Sequence, residues 1–93
     1  MVGEHYHIGV CSKTHYEEIT ISEKDGQWEL FDDTDNPDGE IVGSMNTKEE
    51  AAEMAFIRLL SRFKDCQPVF GAGCLSEEAT KKIFEKVKAD RDS

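Results

Sequence analysis

Between residues 5 and 10 the apolar side chains Tyr6, Ile8 and Val10 alternate with His5, His7 and Gly9, the period of two that marks a half-buried strand. After the polar break Ser12-Lys13-Thr14 the alternation returns in Glu17, Ile19 and Ile21. The Asp25-Gly26 pair, suited to positive φ, then predicts a tight hairpin into a third strand over Gln27 to Asp32, with Trp28 and Leu30 on the core face. Residues 32–39 are dense in turn formers, and Glu40 to Met45 reads as a fourth, short strand.

From Thr47 onward the period lengthens. Thr47 followed by Glu50 is a capping box, and Glu49, Glu50 and Glu53 lie near the positive end of the helix dipole, with Arg58, Arg62 and Lys64 at the other. Ala52, Ala55, Phe56, Leu59 and Phe63 fall on one helical face, which predicts a helix lying across the sheet. A loop from Asp65 to Leu75 leads to Ser76, the expected cap of a second helix carrying Ala79, Ile83, Phe84 and Val87 and fraying through residues 90–93. The expected fold is therefore α+β: an antiparallel meander of three to four strands followed by two helices, with the first helix packed on one face, in a single domain over residues 1–93.

Composition adds that the chain can fold. At 93 residues, 38% hydrophobic and 33% charged, it lies near globular averages rather than in the disordered range. The first residues lack the apolar run of a signal peptide and no window reaches bilayer length, so a cytoplasmic location without membrane contact is expected. Cys11, Cys66 and Cys74 are odd in number and lack C-x-x-C spacing, which points to reduced thiols, although Cys66 and Cys74 could close a short loop in an oxidising compartment.

Charge changes the picture most. Lys and Arg number 11 against 20 Asp and Glu, a net charge of −9 that disfavours direct contact with a nucleic-acid backbone. Residues 1–46 carry 11 acids and 2 bases, whereas residues 47–93 carry 9 of each, so the whole excess belongs to the strand half. Glu29, Asp32, Asp33, Asp35, Asp38 and Glu40 fall within twelve residues and are expected to form a negative patch that binds a protein with a basic surface, with Trp28 or Phe31 as apolar anchor. The plainer reading of the same acids is a solvated surface that keeps the protein soluble.

Other chemistry has less behind it. An EF-hand starting at Asp33 would need glycine and glutamate where Asp38 and Ser44 stand. His5, His7, His15 and Cys11 offer zinc-type ligands, or a Cys-His nucleophile, only if the hairpin register brings them together. Gly71-Ala72-Gly73 lacks the Lys-Ser/Thr pair of a phosphate loop. The expectation is thus a protein that is not an enzyme and carries no cofactor and no metal. Met54 and Ile57 lie off the core stripe of the first helix and mark a possible dimer or partner contact, whose alternative is cover by the second helix or by Pro68-Val69-Phe70.

The run from Gly26-Gln27-Trp28-Glu29-Leu30 through Thr47-Lys48-Glu49-Glu50-Ala51 resembles the strand-turn-strand-helix pattern of many small phage and mobile-element proteins. In size, acidity and element order the chain is similar to some anti-CRISPR proteins. That family shares no common motif, so no residue roles transfer. The resemblance implies only a class, a compact acidic inhibitor that occupies a nucleic-acid-binding surface of a larger complex. A dimeric immunity-type or structural protein using the first helix as interface is the competing expectation, and the chain is expected to be a monomer or a homodimer. A small metal-binding domain is a further one.

Overall fold

A computed structural model of the chain describes residues 3–34 and 37–92. Its elements are β1 (His5–Cys11), β2 (Tyr16–Lys24), β3 (Gln27–Asp32), β4 (Glu40–Met45), α1 (Lys48–Arg62), β5 (Gln67–Pro68) and α2 (Glu77–Asp92). The strands form one antiparallel sheet in the order β4-β3-β2-β1-β5. The architecture is the α+β meander followed by two helices that the periodicity predicts.

Local chemistry explains the boundaries. Asp25 and Gly26 both take positive φ, 54° and 81°, which gives the β2–β3 turn the twist of the strands it joins. Ser12 closes the β1–β2 turn, its amide donating to the His15 carbonyl at 2.8 Å and its hydroxyl accepting from the His15 amide at 3.2 Å. At the start of α1 the Glu50 amide donates to the Thr47 hydroxyl at 3.1 Å, and Ser76 accepts likewise from the Ala79 amide at 3.2 Å ahead of α2.

Both helices lie on the same side of the sheet. α1 crosses β1 through β4, whereas α2 touches α1 and the short β5. Ile8, Val10, Ile19, Ile21, Trp28 and Leu30 from the strands meet Ala51, Ala52, Ala55, Phe56, Leu59 and Leu60 from α1, and Phe84 and Val87 complete the core. Three alanines let the α1 backbone approach the sheet closely, and Phe56 fills the remaining space, edge-on to Phe84 at 5.4 Å. Glu53 meets Lys86, and the Leu60 carbonyl meets Arg91, so the two helices run in the same direction.

One expectation needs correction. The stretch read as a loop between the helices contains β5, and it stays on β1 beyond that strand: the Val69 amide donates to Gly9 at 3.0 Å, and the His7 amide donates to Gly73 at 2.7 Å. Cys66 and Leu75 anchor this segment in the core. At the end expected to fray, α2 continues to Asp92 and Arg91 reaches the Leu60 and Lys64 carbonyls at 3.5 and 3.4 Å, while Ser93 lies outside the described residues. Among the described residues no helix is long and apolar enough to cross a membrane.

Candidate functional site

With both helices on one side, the other face of the sheet is open across β2 to β4, while at β1 Val69 lies against Gly9 and Gly73 against His7. Strand alternation projects His5, His7, Gly9 and Cys11 from β1 onto this face, with Tyr16, Glu18, Thr20, Ser22 and Lys24 from β2 and Gln27, Glu29 and Phe31 from β3. From β4 come Ile41 and Ser44. Of the five large apolar residues that are exposed among the described residues, three lie here: Tyr16 at 54%, Phe31 at 39% and Ile41 at 53%. Single exposed hydrophobics are ordinary, but Phe31 and Ile41 sit directly opposite each other.

That pairing depends on a bulge. The β3–β4 register runs Trp28 with Met45, Glu29 with Ser44 and Leu30 with Gly43, then shifts so that Phe31 meets Ile41 and Asp32 meets Glu40. An unbroken ladder would have set Ile41 beside Asp32 on the helix side. Gly39, at φ 74°, holds the aromatic ring in place, since any side chain there would collide with the Phe31 ring.

The acids predicted to form the patch divide into two groups. Glu29 is half-buried on the open face between Ser22 and Ser44, and Asp33, Asp38 and Glu40 are exposed along the adjoining loop and strand end. Asp35 lies outside the described residues. Asp32 is different: it is 4% exposed and points to the helix side, where it accepts from the Thr34 amide at 2.9 Å, the Thr34 hydroxyl at 2.7 Å and Arg58 Nε at 3.1 Å. Arg62 stands 4.0 Å from the same carboxylate and also bonds Thr34. Burial opposes ionisation of Asp32, yet the Thr34 hydrogen bonds and Arg58 outweigh it and hold the carboxyl below its ordinary range. Asp32 is therefore a structural ion-pair residue and leaves the candidate surface. Trp28 leaves it too, since it is 7% exposed and packs on Tyr6 at 5.9 Å between ring centres. Of the two proposed anchors only Phe31 is presented, and Ile41 is the anchor that sequence reasoning missed.

The histidines do not converge. His5 and His7 share the open face with ring centres 6.0 Å apart, and His7 Nδ1 lies 3.4 Å from the Thr20 hydroxyl and 3.7 Å from Glu18. His15 stands at the far end of the hairpin against Phe63, 5.2 Å between rings. Among the described residues no group of three or more His, Cys, Asp or Glu side chains is placed to hold a metal ion. Tyr16 donates to Glu18 at 2.9 Å, and chiefly this bond to a carboxylate pushes its phenol up to about 12. The three cysteines are free, and burial followed by the charge of Glu18 pushes the Cys74 thiol up, away from the thiolate a nucleophile needs.

On the helix side, Met54 is half-buried against the core and shares a small cavity with Met45, while Ile57 remains 45% exposed. α1 and α2 also border an open cleft of about 800 Å³, across which Lys86 binds Glu53 at 3.2 Å. The fold and this surface together define a class: a two-layer α+β protein with one partly open, acid-flanked sheet face. Comparison of the chain with protein families, curated proteins and solved structures finds no match.

Proposed function

We propose that this protein is a non-enzymatic interaction protein that occupies a basic, nucleic-acid-binding surface of a larger partner, as an acidic inhibitor or decoy does. The observation that carries this reading is the Phe31–Ile41 pair on a face where Glu18 and Glu29 outnumber Lys24 and whose margin holds Asp33, Asp38 and Glu40. Nine of the 11 cationic side chains belong to residues 48–91, and of these Arg58 and Arg62 are bound to Asp32 and Thr34 beside that margin. Carboxylates there would take the place of phosphates against lysine and arginine, and the apolar pair would supply the desolvated centre that long-range charge alone lacks. An anti-CRISPR protein would be one instance of this class. The competing dimer through α1 has less support, because Met54 is packed against the core and Ile57 is left as a single exposed side chain.

The test is affinity capture from lysate at about 50 mM and about 500 mM salt. Wild type is compared with Phe31→Ser and with the quadruple variant Glu29→Gln, Asp33→Asn, Asp38→Asn, Glu40→Gln. A specific partner should bind at low salt, be released at high salt, be lost in both variants and be displaced by duplex DNA. Capture indifferent to salt and to the quadruple change would remove the proposal.

A further inference from the structure

The two edges of the sheet are treated differently. On the β1 side the edge is closed by β5, which is two residues long and contains Pro68, a residue without an amide donor, and the chain then bonds back onto β1 through Val69 and Gly73. On the other side β4 pairs with β3 alone. Its outer row of amides and carbonyls over Glu40–Met45 has no partner strand among the described residues, and it contains neither proline nor lysine to guard it.

What flanks this edge is apolar on both faces. Toward the open face stand Ile41 and Phe31. Toward the helices, Met45, Met54 and Ile57 line a cavity of about 160 Å³ rimmed by Glu50 and Glu53. Gly43 faces the helix side, opposite Leu30, and its missing side chain leaves room there. A strand laid along β4 would therefore place alternate side chains against Ile41 and against the Met45–Ile57 cavity, with Glu40, Glu50 and Glu53 in reach of cationic groups.

We propose that the β4 edge receives an extended basic segment of a partner protein, which adds to the sheet as a sixth strand. This rests on the acidic-inhibitor reading above and names the form the basic partner takes. Main-chain hydrogen bonds supply affinity in such pairing, and the flanking pockets and charges supply selectivity. Charge decides between occupants. A second copy pairing β4 with β4 would bring two strand halves of net −9 together, whereas a lysine- or arginine-bearing strand neutralises them.

The probe is a blocked synthetic peptide of alternating lysine and valine, about six residues long to match a strand, set against a twin N-methylated at every peptide bond. The twin keeps the side chains and cannot complete the ladder. The parent peptide should bind at low salt and slow amide exchange along β4 by roughly tenfold or more, and the twin should bind at least tenfold more weakly. Ile41→Lys should abolish the protection while leaving the α1 and β1 resonances in place. Equal binding of parent and twin would overturn strand addition and leave the acidic-surface reading standing. Failure of both to bind would overturn it as well, and the salt-dependent capture then judges the wider reading separately. A concentration-dependent dimer in light scattering, with β4 protected before any peptide is added, would overturn it in favour of a second copy.

Discussion

Asp32 is the residue whose surroundings matter most to stability. Three hydrogen bonds and two guanidinium groups surround a carboxylate that strand alternation has turned away from water. Removing one partner of a fully buried ion pair costs about 3–5 kcal/mol. Here Arg58 keeps about a third of its side chain in solvent, 32%, which weakens the pair, so Asp32→Ala is expected to cost about 2 kcal/mol at neutral pH in urea unfolding. The pH dependence follows from the direction of the shift. With a folded value below the ordinary 3.8, the contribution of Asp32 is full above that value and is lost as pH falls through the folded one. Wild type and Asp32→Ala should converge in stability as the pH drops well below 3.8, and a gap that persists there would rule this account out. The inward turn of Asp32 was legible: it is two residues from Leu30 and four from Trp28, so one period-2 rule places all three on the same face. Its membership of a sequence-local acidic run obscured that. The position of Ile41 was not legible, because plain alternation sets Val42 beside Phe31 and only the bulge exchanges them.

At the scale of elements, strands and helices announced themselves wherever the chain carries local chemistry of its own. The Asp25-Gly26 turn, the β4 limits and the Thr47 and Ser76 caps all stand where turn and capping residues put them. β5 was hidden because it has no period to detect: two residues, one of them proline, are held by β1 on one side and by the burial of Cys66 and Leu75 on the other. Tertiary contacts made that strand, not propensity. The α1 cap offers a direct test of how far local signals also stabilise. The Thr47 hydroxyl accepts from the Glu50 amide and donates to the Glu50 carboxylate, each at 3.1 Å, so Thr47→Ala should cost about 1 kcal/mol while Thr47→Ser costs little. Chemical denaturation of both variants checks the order, and faster amide exchange confined to the first turn of α1 should accompany the alanine change. Equal stability of all three proteins would mean that packing of Ala51, Ala52 and Ala55 fixes the helix start without the cap.

For the molecule as a whole, the decisive quantity is where repulsion is stored. The strand half holds a net −9 and the helical half none, yet the radius of gyration is only 12.5 Å. At about 10 mM salt the screening length is about 30 Å and exceeds that radius, so the acids of the sheet half repel one another across the structure. At about 150 mM it shrinks to about 8 Å and only neighbours interact. Two opposing effects are in play, since salt also weakens attractive pairs such as Lys86–Glu53, but exposed pairs of that kind contribute little. Relief of repulsion should therefore win. Raising sodium chloride from about 10 mM to about 500 mM is expected to lift Tm by on the order of 5 °C, the shift that about 1 kcal/mol produces in a domain of this size. The same imbalance makes a cationic ligand stabilising in proportion to the repulsion it removes, so the lysine-valine peptide should raise Tm more at low salt than at high salt. A Tm that falls as salt rises would mean that attraction between the sheet's acids and the helices' lysines and arginines dominates, and it would leave the strand half no surplus field with which to attract a basic partner.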